Sequence, residues 1–448
     1  MWIFFGTKYK GLLLYIVSWF VGLGVVTAFF YALQIFVFGI SKWEYFMLLV
    51  VLILSFFIKL FLSKYSIKKY FSTLCLDISF SPIRESFLAL SRVKKIFSLT
   101  FFGYILVFLL LSLLYNISFP TYFDDSFGNW TLGAINMYFD GGYRVFGSED
   151  EILGKGGRTN YPIFVSIFRA LVADFSGFWY EIYQNLFQYV SFFFTVMFTF
   201  VISFKKTKDI FVSLLPPFFI TSIPLVFFHI TDGYMDLASG LYSVFTIYFL
   251  YRFLSKKNYE NFVLGALFGA LLIGTKNDAL VVYLPGIVFG FIIYLFLNKE
   301  ISDFFRGLCT RNNITRLGFI VLFFLAPQFF VRFYHGLALN PQANDGFENP
   351  AWWHLEIFTY ADDIFILENN YNLILLLIPL LFLGFWKGKK SFILYSVIFI
   401  FAIFIAVFLF TSNYRWVLDQ TTVNRAFMSC FVILVSFFAL IYSDKKQK

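Results

Sequence analysis

The sequence predicts an all-α, polytopic membrane protein, and three observations carry that prediction. Apolar residues fill 60% of the 448 positions and charged ones only 14%, whereas soluble domains hold about 45 to 50% apolar and about 25% charged residues. The apolar runs continue unbroken over roughly 20 residues, the length at which a helix crosses the hydrocarbon core. They also lack the alternation of apolar and polar residues, in segments of about ten, that a transmembrane β-barrel requires.

In chain order, runs at 11–38, 43–63, 97–119, 185–204, 210–230, 233–254, 261–275, 279–298, 316–334, 371–386, 391–411 and 424–442 predict about twelve spanning helices. Lys8 and Lys10 precede the first run and no small-residue cleavage site follows it, so it reads as an uncleaved span. A basic cluster from Lys59 to Lys95 follows the second run and separates residues 1–96 from a module over 97–448. Within that module, "LLPPFF" at 214 and "ITSIP" at 220 interrupt one run. With the N-terminus inside, most of the 35 Lys and Arg lie on inward connections: "KKTK" at 205, "RFLSKK" at 252, Lys299 to Arg316, "KGKK" at 387 and the tail "DKKQK". That asymmetry fits the positive-inside rule. The net charge of +9 therefore marks the cytosolic leaflet and excludes a nucleic-acid partner. The expected location is the inner (cytoplasmic) membrane, with the active face outward.

Two outward segments are long, 120–184 and 335–370. The first contains "YPIFVSIFRALVADFSG" at 161–177, too short to span and interrupted by Arg169 and Asp174. Such a stretch predicts an interfacial helix with its apolar face among the headgroups. Cys75, Cys309 and Cys430 form no CxxC, so neither a disulfide framework nor a thiolate metal site is expected. His229, His335 and His354 lack zinc-site spacing.

Ionisable residues near lipid are costly, about 2.5 to 3.5 kcal/mol at a helix centre, and so usually face a cavity or a partner. Here they gather at outward helix ends: Asp124, Asp125, His229, Asp232, Asp236, Lys276, Asp278, Arg332, His335, Arg415, Asp419 and Arg425. Adjacent Asp124 and Asp125, in "FPTYFDDSFGNW", suit acid/base work because like charges raise one carboxyl of a pair. A hard divalent metal held through oxygen is the one cofactor they would admit. Arginine completes the pattern, since its planar fork grips phosphate. Acid, arginine and lipid together point to group transfer from a phospholipid-like carrier.

The loop "FDDSFGNWTLGAINMYFDGG", then "NYPIFVSIFRALVADFSG", "TDGYMDLASGLY" at 231, "LFGALLIGTKNDAL" at 267 and "TTVNRAF" at 421 run in one order across residues 100 to 440. Together they resemble the bacterial GT-C glycosyltransferases, polytopic relatives of protein O-mannosyltransferases and aminoarabinose transferases. The resemblance implies inverting transfer of a sugar from a polyprenyl-phosphate donor to an acceptor on the outer face. It puts the base on Asp124 or Asp125, and favours Asp124 because that residue directly follows an aromatic, Phe123, with Asp125 then orienting the acceptor or a metal. It puts the donor phosphate on Arg425 with Lys276, and Arg415 near them. It puts sugar or acceptor contacts on Asp236 and Asp278, with Asp232, Asn277, Arg158, Tyr161 and His335 around them. Three other readings stay open: a transporter or flippase for a lipid-linked or anionic substrate, a polymerase or ligase of surface polysaccharide, and a non-catalytic membrane partner.

Overall fold

A computed structural model describes residues 12–36, 47, 50–55, 81–121, 127–140, 162, 164–334, 373–387, 391–411, 417 and 421–443, and every described element is helical. Seven of the helices are long and apolar enough to cross a membrane, or eight if one bent pair is a single span. The described residues thus form an α-helical, polytopic membrane protein, and they support seven or eight spans where the sequence predicted about twelve. The chain divides into two compact units, Met1–Arg158 with Ile163–Leu214, and Thr159–Pro162 with Leu215–Lys448.

The first unit holds α1 (Leu12–Phe36), α2 (Ser81–Leu88), α3 (Arg92–Asn116), a π-helical turn (Phe127–Thr131), α4 (Leu132–Asp140), α5 (Phe164–Ser176) and α6 (Glu181–Thr207). α1 has no charged residue, and α6 packs against α1, α3 and α5. The Trp19 indole donates to Ser191 Oγ at 2.9 Å, and Phe108 meets Phe192 with ring centroids 6.1 Å apart. Where α3 ends, the Thr121 amide donates to Glu181 Oε2 at 2.9 Å and Asn185 Nδ2 donates to Thr121 Oγ1 at 3.2 Å. These bonds satisfy backbone and amide groups that lipid would leave bare.

The helix expected at 161–177 exists as α5, but it does not keep one face free. Residues 164–171 are buried throughout, because Ser166 fits against Gly133 in α4 and donates to the Trp130 carbonyl at 2.9 Å. Arg169, expected among headgroups, is 1% exposed and hydrogen-bonds Thr131. Only the end of α5 is open, with Phe175 exposed.

Next come α7 (Ile210–Thr221) and α8 (Pro224–Asp232), bent by 67° where the proline-containing sequence interrupts the run. The second unit continues with α9 (Met235–Lys256), α10 (Tyr259–Ile273), a π-helical turn (Ala279–Tyr283), α11 (Leu284–Leu297), α12 (Lys299–Leu308) and α13 (Arg311–Tyr334). It is completed by α14 (Leu373–Lys387), α15 (Phe392–Phe410), α16 (Thr421–Ser436) and α17 (Phe438–Ser443).

α9 is the centre of this unit: 83% of its spanning window is buried, against 11% for α13. A helix surrounded by protein can carry polar side chains, and α9 does. Ser239, Ser243 and Thr246 each donate to the carbonyl four residues earlier, at 3.1, 2.8 and 2.8 Å. Two glycine pairs set the close packing. In α11, a Cβ added to Gly286 would lie 2.7 Å from the Ile400 amide nitrogen, and one on Gly290 2.6 Å from that of Ser396, so α15 rests directly on the glycine backbone. In α10, Gly265 and Gly269 similarly admit Leu250 and Thr246 of α9. Close approach through small residues four apart is a recurrent solution in lipid, where exclusion of water supplies no drive for helix association.

Candidate functional site

The site lies in the second unit and follows from how its helices begin and end. α8 stops at Gly233, whose φ of +84° lies in the left-handed region, and Tyr234 is extended before α9 starts at Met235. That tight turn keeps His229, in the last turn of α8, close to Asp236 in the first turn of α9. The chain goes down α9 and turns at Lys257 and Asn258, where Asn258 Oδ1 accepts from the Glu260 amide at 3.0 Å. It returns along α10, so α10 ends beside the start of α9. Ser239 and Thr275 hydroxyls meet there at 2.9 Å. Lys276, Asn277 and Asp278 then lead into the π-helical turn.

α16 brings the remaining cation. Arg425 stands in its second turn, and Ser429 packs one turn further on against Gly240, with its hydroxyl 3.2 Å from the Asp236 carbonyl.

Asp236 is the hub. Its Oδ1 accepts from Lys276 Nζ at 2.7 Å, while Oδ2 lies 3.8 Å from His229 Nε2 and 3.9 Å from Arg425 Nη1. Lys276 Nζ also reaches Asp278 Oδ2 at 2.9 Å. The Tyr234 ring is flanked by both remaining partners, with its centroid 5.4 Å from the Arg425 guanidinium carbon and 4.9 Å from the His229 ring. His229 Nδ1 lies 2.8 Å from the Leu225 carbonyl. Asp236, Lys276 and His229 are buried, and Asp278 is the most open member, its side chain 29% exposed.

Two carboxylates and two cations balance, which is how charges persist away from water. The amino-terminal ends of α9 and α16 add their dipoles, favourable to the Asp236 carboxylate and to any anionic ligand nearby.

Of the residues expected at a site, Asp236, Lys276, Asp278 and Arg425 come together. Asn277 and Asp232 are buried in the adjoining turns. Lys276, expected on a donor phosphate, holds two carboxylates here. Asp124, Asp125, Arg158, Tyr161, His335 and Arg415 lie outside the described residues. Sequence reasoning placed His229 among the ionisable residues at outward helix ends without giving it a role, and it did not single out Tyr234, Ser239, Thr275 or Ser429. The hydroxyls look like ordinary helix residues until their partners are known. Among the described residues, no group of three or more His, Cys, Asp or Glu is placed to hold a metal ion.

A cavity of about 430 Å³ lies in the same unit, lined by Gly265, Gly269, Ile273, Leu284, Phe291 and Phe305 among other apolar groups. Ile273 at one end is three residues from Lys276, and Phe305 belongs to α12. Comparison of the chain with protein-family models, curated proteins and solved structures finds no match.

Proposed function

We propose that this chain is a membrane glycosyltransferase that moves a sugar from a polyprenyl-phosphate donor to an acceptor at the outer face, with inversion. One observation carries the reading: a buried, charge-balanced cluster at Asp236, Lys276, Asp278 and Arg425, in the same unit as an apolar cavity whose wall includes Ile273, three residues before Lys276. A donor with a polar head and a long apolar tail needs both features in one place. From Ile273 to Phe262 along α10, the cavity wall runs about 16 Å at 1.5 Å per residue, enough for part of an isoprenoid chain.

In the proposed reaction the acceptor oxygen attacks the anomeric carbon and the bond from that carbon to the phosphate oxygen breaks. The bonding pair leaves on the phosphate, and the acceptor proton passes to Asp124, with Asp125 orienting the acceptor. Arg425 meets the charge growing on the phosphate. A preorganised donor of this kind is typically worth about 3 to 4 kcal/mol in the transition state. Lys276 acts by fixing the Asp236 and Asp278 carboxylates, which hold sugar hydroxyls. The other contacts proposed are Asp232, Asn277, Arg158, Tyr161, His335 and Arg415.

The test is transfer of radiolabelled sugar from polyprenyl phosphate in proteoliposomes. Asp124→Asn should abolish it in a folded protein, and Arg425→Ala should raise the donor KM more than the acceptor KM. An active Asp124→Asn variant would remove that residue as base.

A transporter is the second reading, and the 67° break between α7 and α8 favours it, because broken helices often line transport sites. Uptake of a sugar phosphate or lipid-linked sugar without chemical change would decide for it.

A further inference from the structure

His229 and Asp236 present an unusual pair of atoms. The Leu225 carbonyl can only accept, so the His229 Nδ1 it faces at 2.8 Å carries a proton. In the neutral ring, Nε2 then offers a lone pair. Nε2 lies 3.8 Å from Asp236 Oδ2, also an acceptor. Both atoms are buried, and neither has a hydrogen-bond partner among the described residues. Two buried acceptors facing one another are unfavourable unless donors come between or beside them.

We infer that His229 Nε2 and Asp236 Oδ2 form a two-acceptor clamp for adjacent hydroxyls of a sugar ring, with His229 setting which sugar is accepted. A single hydroxyl has one proton and can serve one of the two atoms. A vicinal diol has two, and hydroxyl donors about 2.7 to 2.8 Å from each acceptor are compatible with acceptors this far apart. Arg425 Nη1, 3.9 Å from the same carboxylate oxygen, is placed to donate to the diol oxygens. An ammonium could also supply two protons. However, Lys276 Nζ already lies 2.7 Å from Asp236 and 2.9 Å from Asp278, so a second ammonium would enter beside a buried like charge. The inference deepens the transferase reading by naming what the site recognises, and it rests on that reading only for how the sugar arrives.

The full-length chain in nanodiscs is titrated with methyl glycosides of mannose, glucose and galactose and their monodeoxy forms, with saturation-transfer NMR as the readout. At least one glycoside should bind, and removing one hydroxyl of the recognised pair should weaken it at least tenfold. His229→Phe and Asp236→Asn should each cause a similar loss, while His229→Gln, which keeps an acceptor, should stay within threefold of wild type. Folding of each variant is checked by circular dichroism. Three results would overturn the clamp: no glycoside binds the folded wild type, His229→Phe binds as wild type does, or ¹⁵N-histidine spectra show both His229 nitrogens protonated in the sugar-free protein. In the last case His229 would itself donate to Asp236. Glycoside binding that depends on His229, in a protein that transfers no sugar from polyprenyl phosphate, would support the clamp and sink the transferase reading.

Discussion

Lys276 shows what one residue can control. Its ammonium lies between Asp236 and Asp278 at 2.7 and 2.9 Å, and its side chain is 9% exposed. Replacing it with Met would leave Asp236 buried with only longer-range compensation from Arg425. Removing one partner of a buried pair usually costs about 3 to 5 kcal/mol. Lys276→Met should therefore lower resistance to SDS denaturation by an amount in that range. The double variant Lys276→Met, Asp236→Leu should recover much of it, because two apolar groups remove the stranded charge. A double-mutant cycle gives the coupling directly. If the single and double variants are equally unstable, the pair is not what holds these helix ends.

At the scale of elements, helix contact depends on glycine where lipid offers no hydrophobic drive. Gly290 of α11 has the Ser396 backbone where its Cβ would be, and backbone cannot swing aside as a flexible side chain can. Gly290→Leu should separate α11 from α15 and destabilise by about 1 to 3 kcal/mol or more, the usual scale of overpacking. Gly103 of α3 meets nothing within 4 Å, and Gly103→Leu is the matched control. Helix α12 gives a pH prediction. The Lys257 ammonium hydrogen-bonds Glu300 and pulls its carboxyl below the usual carboxylate range. A group depressed in the folded state contributes stability above its unfolded pKa, and the contribution fades as pH falls through the folded value. Wild type should therefore lose thermal stability relative to Glu300→Gln as acid passes below the normal glutamate range, and the two should differ by a constant amount at neutral pH. Glu300 is exposed, so the effect is small and reduced by salt.

For the whole molecule, orientation is the property on which the proposed chemistry depends. Exposed Cys309 follows α12, which comes after α11 has run away from the Asp278 end. Cys309 therefore lies at the end of α11 opposite the cluster. In a Cys75→Ser, Cys430→Ser background, a membrane-impermeant maleimide should label Cys309 in inverted vesicles and leave it unmodified in intact cells. The reverse pattern would put the cluster on the cytosolic side and exclude a donor presented from outside.

Much of the fold was legible in the sequence. Lipid demands long apolar segments with all backbone bonds internal, so the runs from 97 onward each coincide with described helix to within a few residues. Asp236, Lys276, Asp278 and Arg425 were legible too, because a charge at the end of an apolar run has few reasons to be there. Helix α5 was read correctly as a helix and incompletely as an interfacial one. Its pattern shows an apolar face but not that Gly133 and Thr131 would receive Ser166 and Arg169.

By itself, then, the sequence determined that this is an α-helical membrane chain, where most helices run, and which charges would need company. Hydropathy and charge are properties of each residue and its near neighbours, so they can be read along the chain. Only the tertiary structure decided that Lys276 would be shared between two carboxylates and that His229 would stand 3.8 Å from Asp236. Those outcomes depend on how helices distant in sequence abut, and the glycine contacts that set such distances leave no mark on hydropathy.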